Sequence, residues 1–405
     1  RYYPPAVMVL AALVATLPPL LFNAPFYNLA DGTQGWLYRA LELLVIACPC
    51  SLVISTPVTI ISAITAAARR GVLIKGGAHL EALGTLKALA FDKTGTLTRG
   101  QPALTQLRSV DCASGVSCER CDDLLALASA VEAGSAHPLA KAVVQAAQSR
   151  GLDHAYAPAE AVVALAGQGV QGRINGKLVT VGSHTLFEAE HPHSHDLCEW
   201  VEAAEADGQT TMLLCDGDRV RGYLALADEP RPESAAVIRD LQALGLQTVM
   251  LTGDNPTVAQ AVGRTIGVDD VRAGLLPAAK VEAVQELVGR YEHVGMVGDG
   301  INDTPALAAA SVGVAMGGAG SAQALETADV ALMADDLRQL PYAVRLSRFA
   351  RALIRQNIGI SFGLKLAVML LALAGGGTLW LAVFADVGMS LLVTANGMRP
   401  LRFES

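Results

Sequence analysis

Asp92 follows the apolar run Lys87 to Phe91 and opens the segment Phe91-Asp92-Lys93-Thr94-Gly95-Thr96-Leu97-Thr98. A carboxylate at the end of a buried strand can attack phosphorus and carry the phosphoryl group as a mixed anhydride. A strand-ending turn would account for an Asp near a Gly, but two further loops recur in the same setting. Thr252-Gly253-Asp254 follows the apolar run Thr248 to Thr252, and Gly298-Asp299-Gly300-Ile301-Asn302-Asp303 follows Val294 to Val297. A second chemistry stands elsewhere. Cys48-Pro49-Cys50 interrupts a long apolar stretch, where proline removes a backbone donor and clashes with the preceding turn. Such a break is tolerated where it lines a cavity, and two thiols there would offer soft ligands to zinc, cadmium or copper(I). A kinked helix with two inert cysteines is the plainer alternative. Lys365 and Asp386 each sit inside an otherwise uncharged apolar run, which costs several kcal/mol unless they pair or bind something.

The elements that must position these groups fall into two kinds. Pro4 to Phe22, Trp36 to Ala68, Ala352 to Ala374 and Leu379 to Asn396 are long enough to cross a bilayer, the second interrupted by Pro49 and the last two separated by Gly375-Gly376-Gly377. Arg69, Arg70 and Lys75 after the second run, with Arg345, Arg348, Arg351 and Arg355 at the start of the third, place the section between them on the cytoplasmic side. That section reads as an open α/β sheet. Its short apolar runs end at polar turns, and helical patterns at Pro232 to Leu244 and Thr257 to Ile266 alternate with them. Residues from about 101 to 226 are inserted after the first strand and suffice for a second compact domain. The expected division is 1–75, a helix pair with the Cys-Pro-Cys motif; 76–100 and 227–344, the two parts of the sheet domain; 101–226, the inserted domain; and 345–405, a second helix pair.

Composition excludes some classes. The 405 residues are 52% hydrophobic and 17% charged with a net charge of −8, and no dense basic cluster offers a nucleic-acid footprint. Seven irregularly spaced cysteines argue for a reducing compartment rather than disulfides. The chain begins at Arg1, directly before an apolar run, so further residues are expected upstream.

The Asp92 segment resembles the phosphorylation signature of P-type ATPases, whose core is shared with haloacid-dehalogenase-type phosphatases. The phosphatases typically carry a second Asp two residues after the nucleophile as general acid and base; here that position is Thr94. The resemblance therefore favours a pump, in which the aspartyl phosphate survives long enough to drive a conformational change. It implies roles for the other loops. Asp299 would hold magnesium with Asp92 and Thr94, Thr252 and Gly253 would hold phosphoryl oxygens, and Lys93, Asp254, Asn302 and Asp303 complete the catalytic set. Lys280, in Leu276-Pro277-Ala278-Ala279-Lys280, would neutralise charge on the transferred group.

In the inserted region, Glu132 and His137-Pro138 resemble the adenine-binding segment of heavy-metal pumps, although Ala136 stands where that family usually has an acid. Gly167-Gln168-Gly169 fits the family's second nucleotide contact, with Gly182 a looser candidate. Lys365 and Asp386-Val387-Gly388 resemble the zinc, cadmium and lead subgroup. The implied cargo ligands are Cys48, Cys50 and Asp386, with Lys365 as a counter-charge. The resemblance thus implies an exporter of Zn2+, Cd2+ or Pb2+ that uses ATP and Mg2+ in a cell (inner) membrane, with its catalytic domains in the cytoplasm. A copper(I) pump, a membrane-anchored phosphatase and a passive metal-binding membrane protein are the alternatives. The family's actuator segment, Thr-Gly-Glu, is not present, so this part alone is not expected to transport. Cys112 with Cys118-Glu119-Arg120-Cys121 reads as a loop with incidental thiols, and His191, His193, His195 and Cys198 as a solvated loop or a peripheral zinc or nickel site.

Overall fold

The computed structural model describes residues 3–29, 34–47, 50–112, 118–135, 137–165, 167–299, 303–317, 326–373 and 378–404. Cys48, Pro49, Asn302 and the Gly375–Gly377 turn lie outside them. The chain divides into two compact units, Arg1–Thr85 with Tyr342–Ser405, and Leu86–Pro341.

The first unit is helical. Tyr3–Phe22, Trp36–Ala47, Cys50–Arg69 and Leu379–Gly397 belong to it, together with most of the long helix Gln339–Leu373. The stretch expected as one interrupted span holds two helices, one ending at Ala47 and the next beginning at Cys50. Among the described residues three helices are long and apolar enough to cross a membrane, at Pro5–Phe22, Gln339–Leu371 and Trp380–Arg402; Val53–Arg69 is a shorter apolar helix. Their outer faces carry exposed Leu20, Phe22, Trp380, Phe384 and Leu391, an apolar surface too large for water. Inside, one group of polar side chains bridges the helices. Asn357 donates to Ser55 Oγ (2.7 Å) and to the Val393 carbonyl (3.3 Å), and Asn396 donates to Asn357 Oδ1 (2.7 Å), tying three helices together.

In the second unit, six parallel strands run side by side in the order Val330–Leu332, Val312–Met316, Val294–Gly298, Ala88–Asp92, Gln247–Leu251 and Asp270–Arg272. Ala88–Asp92 is fully buried, as an unbroken apolar run in a covered parallel sheet must be. Its neighbours are the strands preceding the two later aspartate loops: Phe91 pairs with Val297 on one side, and Asp92 with Leu251 on the other. The open α/β reading thus holds, and the strand order brings three separate sequence segments to one sheet edge.

Residues 103–227 form a six-stranded antiparallel sheet in the order Ala103–Ser109, Arg219–Ala227, Thr210–Asp216, Lys177–Gly182, Gly169–Ile174 and Glu160–Leu165. Leu124, Leu125 and Val143, from the helices Glu119–Glu132 and Pro138–Ser149, pack with Val179 and Leu224. Phe187, Leu197 and Val201 form a separate core with Leu213 and Ala225.

Candidate active site

Asp92 ends its strand 5% exposed. The chain then turns sharply through Lys93–Leu97, with Gly95 at φ 74°, a left-handed conformation that glycine adopts without strain. A side chain there would also meet Asp299, since a Cβ on Gly95 would lie 3.0 Å from Asp299 Oδ2. The turn is held from outside by residues sequence reading did not single out. Arg231 donates to the carbonyls of Gly95 (2.9 Å), Thr98 (3.1 Å) and Asp335 (3.1 Å), and the Ser234 hydroxyl donates to the Leu97 carbonyl (2.7 Å). Asp228 accepts from the Thr98 hydroxyl at 2.5 Å. Arg231 and Ser234 come from the chain's return out of the antiparallel sheet, more than a hundred residues away, and no local pattern marks them.

Lys280 stands on the helix Pro277–Tyr291 and reaches back to the same edge. Its Nζ lies 2.5 Å from Asp92 Oδ1 and 2.9 Å from Asp303 Oδ1, with Asp303 only 2% exposed. Gly298 makes room for that carboxylate: a Cβ there would sit 3.0 Å from Asp303 Oδ2. Lys93, 5% exposed, forms an ion pair with Asp254, a pairing the sequence did not reveal. Thr252 is buried and its Oγ1 accepts from the Asp254 N–H (3.2 Å), while Gly274 donates to the Asp254 carbonyl (2.8 Å).

Burial raises Asp92 to a pKa of about 7, helped by the neighbouring charges of Asp303 and Asp299 and opposed by Lys280. Burial acts to lower Lys280, but Asp92 and Asp303 outweigh it, so its pKa is raised and the lysine stays charged. Asp92 and Asp303 share Lys280, and Asp299 adds a further carboxylate acting on Asp92, which leaves an excess of negative charge. That donor set, hard oxygens with a glycine leaving space between Asp92 and Asp299, fits a magnesium ion.

Glu132, His137, Gly167 and Gly169 come from the antiparallel-sheet domain. Glu132 closes the helix Glu119–Glu132, 4% exposed, and burial raises its pKa to about 7. His137 caps the next helix, its Nδ1 accepting from the Leu139 N–H at 3.2 Å. Burial lowers its pKa and the charge of Asp254 acts against that, so the two loops share one electrostatic neighbourhood. Gly167 (φ 72°) and Gly169 (φ 157°) bend the chain between two strands. A Cβ on Gly169 would lie 2.2 Å from the Val181 carbonyl, and one on Gly167 would lie 3.8 Å from Leu276, four residues before Lys280. Gly182 pairs with Gly169 across the sheet.

In the helical unit, Lys365 Nζ lies 3.4 Å from Asp386 Oδ1, beside a cavity lined by Leu364, Val368, Ala382, Ala385 and Met389. Cys50 opens the helix Cys50–Arg69, and Cys48 lies outside the described residues. Sequence reading passed over Glu42, an acid 3% exposed in the apolar helix Trp36–Ala47 whose Oε1 has no hydrogen-bond partner. The incidental thiols prove to be a cluster: Cys118 Sγ lies 3.0 Å from Cys112 Sγ and 3.5 Å from Cys121 Sγ.

Residues 86–311 match the haloacid dehalogenase-like hydrolase family. The chain is 43% identical over its full length to a probable cadmium-transporting ATPase of Alkalihalophilus pseudofirmus, covering 55% of that protein. It is 47% identical over 99% of its length to the zinc/cadmium/lead-transporting P-type ATPase of Escherichia coli, covering 52% of it. It therefore spans about half the length of the curated relatives it matches. Among solved structures, a zinc-transporting PIB-type ATPase in its E2·Pi state aligns with 99% of this chain and 62% of its own, at 46% identity and a TM-score of 0.75. The chain belongs to the haloacid dehalogenase-like hydrolases.

Proposed function

We propose that this chain is the phosphoryl-transfer and ion-path part of an ATP-driven exporter of a soft divalent metal ion, with zinc, cadmium and lead as the candidate cargo. The observation that carries the reading is the meeting of Asp92, Asp299, Asp303 and Lys280 at one sheet edge, in a chain whose apolar helices also hold a Lys365–Asp386 ion pair. An Asp92 carboxylate oxygen attacks the γ-phosphorus of ATP, the bond to the β-γ bridging oxygen breaks, and ADP leaves with that electron pair. Lys280 balances the charge on the transferred group, Asp303 holds Lys280, and Thr252 and Gly253 donate to the phosphoryl oxygens. Asp92, Asp299 and Thr94 would hold Mg2+, which supplies further positive charge at the phosphoryl oxygens when bound. Asp254 keeps Lys93 in place beside the nucleophile, and Asn302 belongs to the same catalytic set. Thr94 offers no carboxylate base, so the aspartyl phosphate persists until water is activated from elsewhere.

Glu132, His137, Gly167 and Gly169 form the nucleotide contact, and the proximity of Gly167 to Leu276 supports their working with the Lys280 helix. Cys48, Cys50 and Asp386 are the cargo ligands. Lys365 at 3.4 Å suits a counter-charge that takes the carboxylate once the ion has gone. The division into helix pairs at 1–75 and 345–405, sheet domain at 76–100 and 227–344, and inserted domain at 101–226 belongs to the same proposal. So does a multi-pass position in the cell membrane, with the catalytic part cytoplasmic. ATP hydrolysis by the membrane-reconstituted protein, measured against added ions, tests it. Stimulation by zinc or cadmium that Asp386→Ala abolishes is expected; stimulation by copper(I) with indifference to zinc and cadmium would refute the cargo assignment.

A further inference from the structure

The histidine-rich loop does not stay a solvated loop. His195 is largely exposed beside Glu199, and the His191 ring lies tilted against Phe187, but His193 turns inward. There it meets Cys198 and His184, a residue the sequence pattern did not connect with it. One ligand atom from each of the three lies within 4.8 Å of the others, and Cys198 Sγ to His193 Nε2 is 3.1 Å.

Two details distinguish this cluster from a chance contact. His193 Nδ1 lies 2.7 Å from the His191 carbonyl, which can only accept, so Nδ1 carries the proton and Nε2 presents its lone pair to the cluster. A backbone carbonyl fixing the tautomer in this way is the usual support of a metal-binding imidazole. Secondly, His184 is 8% exposed and its Nε2 has no hydrogen-bond partner; the nearest acid, Glu188, stays 3.9 Å away. A buried nitrogen with nothing to bind is destabilising, and a cation would remove that cost.

We infer that His184, His193 and Cys198 bind one zinc ion within the antiparallel-sheet domain, separate from the cargo path. Two imidazole nitrogens and one thiolate suit this borderline ion, with water as the fourth ligand. Binding forms the Zn–S bond as the Cys198 thiol gives up its proton to solvent, and both imidazoles stay neutral. Bond lengths of about 2.0 Å to nitrogen and 2.3 Å to sulfur require only a small contraction of the cluster. The position has a consequence for the nucleotide contact. His184 directly follows Ser183, whose N–H donates to the Gln168 carbonyl (2.7 Å), so an ion on His184 braces the strand end that holds Gly167-Gln168-Gly169.

The inference does not depend on metal transport. Its test uses the full chain with Cys48→Ser, Cys50→Ser and Asp386→Ala, so that the proposed cargo ligands are gone. Zinc bound per chain at pH 7.5 under a non-thiol reductant is measured by equilibrium dialysis, with zinc alone as the probe. His193→Ala and Cys198→Ser, both at half-buried positions, are compared with that parent, and circular dichroism without zinc checks their folding. Loss of one zinc equivalent in each variant supports the site. Unchanged zinc in either one overturns it.

Discussion

The Lys280 ammonium lies 2.5 Å from Asp92 Oδ1, joining residues 188 positions apart in the chain, and it serves the Asp303 carboxylate as well. One cation thus balances two buried acids. Lys280→Ala leaves both unpaired, a change that costs about 3–5 kcal/mol of stability for a buried pair. Phosphorylation from ATP should fall by about 10²- to 10³-fold. Rapid-quench phosphorylation and urea unfolding of the same variant check the two effects.

Arg231 spreads one guanidinium over three carbonyls, those of Gly95, Thr98 and Asp335. A lysine has no fork and cannot reach all three. Arg231→Lys should therefore slow phosphorylation about tenfold to a hundredfold by letting Asp92 shift, while nucleotide affinity, measured by calorimetry, stays near the parent value.

Glu132 gives a pH dependence whose sign is fixed by its pKa, raised by burial from 4.5 to about 7. The folded protein favours the protonated form, so this group's contribution is fully present below pH 4.5, declines as pH rises towards 7, and is lost above it. The loss is on the order of 3 kcal/mol. Glu132→Gln cannot ionise, so in the absence of nucleotide it should melt higher than the parent at pH 8 and no higher at pH 4.5. A parent and variant that differ equally at both pH values would contradict the assignment.

The three aspartate loops were legible in the sequence because each is short, contiguous and set behind an apolar run. Parallel pairing then puts such loops at one edge. What the sequence left dark is contact between distant segments. Arg231 and Ser234 grip the Asp92 turn only because the chain leaves for the antiparallel sheet and comes back. Lys93 finds Asp254 across two neighbouring strand ends. Likewise His184, set apart from the His191–His195 run, joins it only through the fold, and Glu42 is hidden by the apolar residues around it.

Gly169 offers a purely structural check. Its φ of 157° and the Val181 carbonyl 2.2 Å from a built Cβ leave no room for a side chain. Gly169→Ala should cost more than about 2 kcal/mol and split the strand pair it opens. Gly176→Ala, at φ 82° with no neighbouring atom within 4 Å, should cost only about 1 kcal/mol of backbone strain. Chemical denaturation separates them.

Asp92 is expected to become phosphorylated when ATP and Mg2+ are supplied. Incubating the protein with γ-labelled ATP and Mg2+, quenching in acid and treating a portion with hydroxylamine reads this directly. Acid-stable label that hydroxylamine removes, and that Asp92→Asn never acquires, is the predicted result. A protein that takes up no label, or an Asp92→Asn variant labelled like the parent, would contradict the account.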